Sequence, residues 1–144
     1  MRISAKAEYA CAAMMELAGS HGEPQPLRVK SIAEAQGISA RFLVQILLQL
    51  KTAGLVASVR GASGGYQLAR PPENISLADI IHAIDERSLM PSSALSGIAR
   101  TSVIEVLLGV WRDIQREEQR QLERWSLAEL LRRTQDSNAL NYQI

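Results

Sequence analysis

The chain of 144 residues fits one domain, or one compact domain with an appended dimerisation element, and its 47% hydrophobic share excludes wholesale disorder. No apolar run approaches the roughly 18–20 residues that cross a bilayer, and Met1-Arg2-Ile3-Ser4-Ala5-Lys6 leads into no signal-like apolar block with a cleavage site. The formal charge of +1 argues against a nucleic-acid binder only until it is divided along the chain: residues 1–70 hold eight Lys/Arg against four Glu, about +4, and residues 71–144 eight Arg against eleven acids, about −3.

A basic first half and an acidic second half imply two tasks on one chain, with polyanion contact assigned to the first. The lone cysteine, Cys11, forms no internal disulfide and suits a reducing compartment, so the protein is expected in the cytoplasm.

Residues 4–20 read as a helix: Ala7, Ala10, Cys11, Met14, Leu17 and Ala18 recur at three-and-four spacing. Two Gly and two Pro within 19–26 break it, and 27–29 is a short strand or a lead-in. Residues 31–36 form a brief helix ended by Gly37, which takes a left-handed C-terminal conformation most easily. Ser39 then caps a second helix running to about residue 53, with Phe42, Leu43, Ile46, Leu47 and Leu50 on a helical face. Residues 55–60 are strand-like and 66–70 alternate; Gly61-Ala62-Ser63-Gly64-Gly65 between them is a hairpin tip.

Pro71-Pro72 marks a boundary. Ser76, with Asp79 three positions on, caps a helix carrying Leu77, Ile80, Ile81 and Ile84. Asp85-Glu86 reads as a solvated helix end, and 87–101 as an irregular connection. A long helix follows over 102–124, in which Val103, Leu107, Val110 and Ile114 recur at intervals of four, three and four, a coiled-coil-like seam assigned to dimerisation. Ser126-Leu127-Ala128-Glu129-Leu130-Leu131 opens a last short helix and echoes Ser76-Leu77-Ala78-Asp79-Ile80-Ile81, two similar capping solutions rather than a repeat. The stretch 136–144 is polar and expected to be loose.

Short helix, Gly turn, second helix with a polar N-terminal face, then a two-stranded hairpin is the order of a winged helix-turn-helix. The fold expected is therefore mainly α with a small β-hairpin wing: residues 1–86 form the DNA-binding domain and 102–135 the dimerisation and C-terminal helices. On the second helix, Ser39, Arg41, Phe42 and Gln45 lie near the N-terminus, where side chains reach base edges in the major groove; Gln suits adenine, and Arg suits guanine or phosphate. Arg28 and Lys30, at the start of the supporting helix, suit the phosphate backbone. At the hairpin, Gly61, Ser63 and Gly64 let the backbone approach phosphate, and Arg60 at its edge suits a narrow minor groove. A phosphate-loop reading of these glycines fails, because no Lys-Ser/Thr follows and a strand stands where a helix is required.

With those elements in place, the chain resembles the Rrf2 family of transcriptional regulators along nearly its whole length. The likeness rests on Met-Arg-Ile-Ser-x-Lys-x-x-Tyr-Ala at 1–10, Ile-Ala-Glu-x-Gln-Gly-Ile-Ser at 32–39 and Ala-Gly-Leu-Val-x-Ser-Val-Arg-Gly-x-x-Gly-Gly-Tyr-x-Leu-Ala-Arg at 53–70. Ile-Ser-Leu-Ala-Asp-Ile-Ile-x-Ala-Ile-Asp-Glu at 75–86, Val-Trp-Arg-Asp-Ile at 110–114 and Ser-Leu-Ala-Glu-Leu at 126–130 extend it. The resemblance implies a homodimer with paired long helices and two winged domains on a palindromic operator. Cluster-bearing members place three cysteines between the Asp-Glu and Trp-Arg-Asp segments, where this chain has none; Glu105 stands at the last of these positions and Leu108 where some have a histidine ligand. Glu8 stands where some have an acidic ligand, but it does not replace three thiolates, so no cofactor or metal is expected. Val44 occupies a position that is glutamate in the iron–sulfur regulator, so that member's operator does not carry over.

Catalysis has little to stand on: Cys11 lies on a core-facing helix stripe, and His21 and His82 are apart from it in sequence. Cys11, His21 and nearby acids have no metal-ligand spacing. The rival reading is a winged-helix module that binds a metabolic enzyme or other protein, and a small-molecule or protein effector fits either reading. Operator, regulated genes, and the choice between repression and activation stay open.

Overall fold

Ser4 opens the first helix: its hydroxyl accepts the Ala7 N–H at 3.0 Å, and α1 runs Ala5–Gly19. In this computed structural model, which describes residues 2–85, 93–97 and 100–142, there follow α2 (Val29–Gln36), α3 (Ala40–Thr52), β1 (Val56–Val59), β2 (Gly65–Leu68), α4 (Leu77–Ile84), α5 (Ser102–Arg124) and α6 (Leu127–Tyr142). Short 3-10 turns occupy Pro72–Asn74 and Ala94–Gly97. The mainly α architecture with one antiparallel hairpin matches the expected winged helix. Glu86, and residues 87–92 and 98–99 of the irregular connection at 87–101, lie outside the described residues.

The helix-turn-helix depends on Gly37, which sits at φ 66° and lets the chain leave α2 without a Cβ clash. Ile38 then drops into the core, its N–H donating to the Ala33 carbonyl at 3.0 Å. From α3, Leu43, Ile46, Leu47 and Leu50 are fully buried against Met14 and Leu17 of α1, Ile32 of α2, Leu55, Ile75 and Ile80. A second, smaller cluster joins Ala7 of α1, Ala78 and Ile81 of α4 and Leu122 of α5. The two alanines let α1 and α4 approach closely. Among the described residues, none of those buried is polar or charged.

The echo between 76–81 and 126–131 has a structural counterpart. Ser76 and Ser126 form an antiparallel bridge in which the Leu77 N–H donates to the Trp125 carbonyl and the Leu127 N–H to the Ile75 carbonyl, each at 2.9 Å. Each serine also caps its own helix. Ser76 and Asp79 make a reciprocal capping box, and the Ser126 hydroxyl accepts the Glu129 N–H at 3.1 Å. Leu127 thereby enters the main core, and α6 returns across α1.

Three boundaries differ from the expectation. Helix α2 begins at Val29, two residues before Ser31, because Arg28 takes the extended N-cap conformation without a side-chain cap bond. Helix α6 continues through 136–142, where a loose tail is expected; this stretch contains no Gly or Pro, and adding residues to a nucleated helix is far easier than starting one. The last two residues of the chain lie outside the described ones. Asp85 is not a solvated end but a tie: its Oδ2 accepts the Ser4 hydroxyl at 2.5 Å and the Ser4 backbone N–H at 3.2 Å.

Helix α5 is about 34 Å long at 1.5 Å per residue, yet only Leu122, near its end, is buried. His82 Nε2 lies 3.1 Å from Gln119 Nε2, a further contact between α4 and α5. Among the described residues, no helix is long and apolar enough to cross a membrane.

Candidate nucleic-acid interface

Burial of Leu43, Ile46, Leu47 and Leu50 fixes what α3 shows to solvent. Arg41, Val44, Gln45 and Leu48, at i, i+3, i+4 and i+7, form one exposed strip down the opposite side. Arg41 and Gln45 are thus free to reach outward near the helix start, and Ser39 is exposed at its N-cap with its hydroxyl not engaged in capping. Phe42 turns the other way. It is half-buried against the core, with its ring edge-on to Tyr9 at 5.7 Å and 90°, so α1 braces the start of α3 through an aromatic pair.

The wing carries a second set of groups. Arg60, Gly61, Ala62 and Ser63 are exposed at its tip, and Gly64 is half-buried. Strand β1 pairs with β2 in the register Val56–Leu68 to Val59–Gly65. Leu27 pairs with the other edge of β2 as an isolated bridge, exchanging hydrogen bonds with Tyr66 at 2.7 and 3.0 Å. That pairing explains the two central glycines. A Cβ on Gly65 would lie 2.3 Å from the Leu27 carbonyl oxygen, and one on Gly64 would lie 2.3 Å from that of Val59. Both positions need glycine for internal close approach, whatever the tip does with phosphate.

Lys30 is exposed in the first turn of α2. Arg28, assigned from its position to phosphate, has its guanidinium donating to the Ala62 carbonyl in the wing tip. Its role in the described structure is to tie the tip to the start of α2, a contact across 34 positions that spacing does not reveal. The exposed Val44 and Leu48 were also absent from the expected contact set, although their three-and-four spacing from Arg41 is the signal that finds them.

Charge follows the same division. Among the described residues the ion pairs are Arg116–Asp113, Arg120–Glu117 and Arg132–Glu129, all surface pairs of the second half, with none at Lys30, Arg41, Lys51 or Arg60. Lys30, Arg41, Lys51 and Arg60 on the winged half are left to an outside anion, whereas Arg116, Arg120 and Arg132 on α5 and α6 each face an acid three positions back.

Cys11 is half-buried on α1, where burial and the nearby Glu8 charge push its thiol up to about 11. A thiol so shifted is neither an activated nucleophile nor a ready ligand. His21 is exposed in the turn after α1. Among the described residues, no three His, Cys, Asp or Glu side chains gather as a metal would need.

An exposed helix start, a pinned hairpin and free cations on one half define a winged-helix, DNA-binding transcriptional regulator. The chain belongs to the Rrf2 family, whose model, described as an iron-dependent transcriptional regulator, matches residues 3–133. A Mycobacterium tuberculosis protein provisionally named an HTH-type transcriptional regulator is 40% identical over 131 residues, 90% of this chain and 81% of the relative. The structure of the Bacillus subtilis global cysteine regulator CymR superposes with a TM-score of 0.79 at 34% identity, over 91% of this chain and 96% of the other. That of T. potens IscR gives 0.76 at 36% identity, over 95% and 90%. These relatives are regulators, not enzymes.

The family description raises the question of iron, and the donor set does not fit an iron–sulfur cluster held by cysteines. Such a cluster needs several thiolates, and the whole sequence supplies one, placed on α1 with a raised thiol.

Gly65→Ala tests the close approach at the wing. The new methyl must push Leu27 or β2 aside, with an expected loss of about 1–3 kcal/mol of stability in urea unfolding. Unchanged stability would mean that the Leu27–Tyr66 pairing yields freely.

Proposed function

We propose that this Rrf2-family regulator binds double-stranded DNA sequence-specifically, as a homodimer on a palindromic operator, without an iron–sulfur cluster. The observation that carries the reading is the exposed strip of α3, with Arg41 and Gln45 on it, accompanied by Arg60 on a wing tied to the start of α2. Helix α3 enters the major groove, where Gln45 and Arg41 set base preference. Ser39, Lys30 and the backbone at Gly61 and Ser63 meet phosphate, while Arg60 lies in the neighbouring minor groove; the Gly64 N–H is already donating to the Gly61 carbonyl. Arg28 serves this surface by holding the wing tip.

Dimerisation belongs to α5. Val103, Leu107, Val110 and Ile114 are 36–69% exposed along one stripe, and Val106 and Trp111 flank them. So much apolar surface on one helix calls for a partner, and a second copy lays the same seam against it. Residues 1–86 then read DNA and 102–135 hold the pair. A chain of this kind works in the cytoplasm. Its effector is a small molecule or a protein; a cleft of about 440 Å³ between α1, α2 and α6, with Met15, Glu16, Gln36 and Leu131 in its lining, has room for the former.

Duplexes selected from genomic DNA by the purified protein test the DNA reading. Affinity should fall steeply with salt, and Arg60→Ala should weaken binding by about 1–3 kcal/mol at fixed salt. Binding that ignores salt and sequence would favour the protein-interaction module instead.

Val110→Glu and Ile114→Glu each place charge in the α5 seam, so sedimentation should show the mass shifting from dimer towards monomer. If both variants stay dimeric, the stripe is not the interface.

Protein purified without air should be colourless, with iron and sulfide at trace level by elemental assay, and should bind DNA without reconstitution. Brown protein with stoichiometric iron, lost on mutating Cys11 or Glu105, would overturn the cluster-free reading.

A further inference from the structure

The exposed strip of α3 holds two large apolar side chains that the core does not need. Val44 is 47% and Leu48 59% exposed, while Leu43, Ile46, Leu47 and Leu50 already fill the helix's inner side. Both belong to the strip that carries Arg41 and Gln45, and Arg41, Lys51 and Arg60 are without an ion pair among the described residues. An apolar pair framed by free cations on a recognition helix faces a polyanion whose grooves contain one projecting apolar group, the C5-methyl of thymine.

Position separates the two residues. Val44 lies in the second turn of α3, one turn on from Arg41 and beside Gln45, in the part of a recognition helix that reaches base edges. Leu48 lies one turn further along, as the helix withdraws towards the backbone. Valine offers no donor or acceptor, so it reads no base edge by hydrogen bonding. Burial against a methyl group is the one specific contact it makes; the purines leave it against polar edge atoms that lose water without a partner, and cytosine lacks the methyl.

We propose that Val44 is a specificity-determining residue that reads a thymine methyl in each half-site, beside the base pairs met by Arg41 and Gln45. This rests on the DNA-binding reading above and adds what its contact set lacked: a base chosen by shape and hydrophobicity rather than by hydrogen bonds.

Single-atom changes in the DNA test it. In a duplex selected by the full-length protein, each thymine is replaced in turn by deoxyuridine, which removes the methyl and keeps every hydrogen-bonding group. Affinity is read by fluorescence anisotropy at fixed salt. The wild type should lose about fourfold at one thymine per half-site, the worth of one methyl taken out of water. Val44→Ala, a surface change expected to leave the helical circular dichroism intact, should bind the thymine and uracil duplexes equally. With cytosine at that position, adding its 5-methyl group should restore the same factor for the wild type and not for Val44→Ala. Insensitivity to every uracil, or a uracil penalty that survives Val44→Ala, would overturn the proposal while leaving sequence-specific binding intact. If no duplex is preferred over random competitor, the DNA reading itself fails and this inference falls with it.

Discussion

The Leu77 N–H donates to the Trp125 carbonyl and the Leu127 N–H donates to that of Ile75. Through this pair of bonds the start of α6 is fixed to the start of α4, 50 positions earlier. The bridge stands where α4 and α6 begin, so two capped helix starts lie side by side and each leaves in its own direction. Leu127 is carried into the main core, α6 is led back over α1, and α5 is left to project with one buried residue near its root. A helix that buried more of itself in its own subunit would have no apolar stripe to offer.

Much of this was legible in the sequence, and the parts that were not share one physical cause. The face of α3 followed from the spacing of Leu43, Ile46, Leu47 and Leu50, and the capping box from Ser76 and Asp79. The bounds of α5 were readable from its seam and its polar flanks. Where sequence reasoning stopped short, the deciding contact joins residues far apart in the chain. The serine echo looked like two independent caps because pairing across 50 positions leaves no local trace. Phe42 stands at the margin of the buried face, where it packs against the core and edge-on to the ring of Tyr9, 33 positions earlier. Arg28 was placed correctly at the start of a helix, but its partner is a carbonyl in the wing. The end of α6 was missed for a different reason: polar residues propagate a helix as readily as they form a loop once the first turns exist.

The candidate site divides the same way. Its charged members announced themselves through composition, because unpaired Lys and Arg concentrate in the first half. Its apolar members are not in the expected contact set, although the sequence already leaves Val44 and Leu48 off the core face of α3. The structure adds their exposure, 47% and 59%, against the fully buried Leu43 and Leu47. Likewise the wing glycines suggested access for phosphate, whereas the space around Gly64 and Gly65 is already taken by carbonyl groups of the protein itself.

The double attachment of the wing, by the Leu27–Tyr66 rung and by Arg28 to Ala62, has a mechanical consequence. Both ties end at the entry to α2, the element that supports α3. On the docking proposed above, the part that would enter one groove and the part that would reach its neighbour act as the jaws of a gauge tied at one point. On that docking, adjustment to groove width would fall more to the duplex than to the protein. Sequences that narrow or bend at low cost then fit the gauge better than stiff ones, even at base pairs no side chain touches.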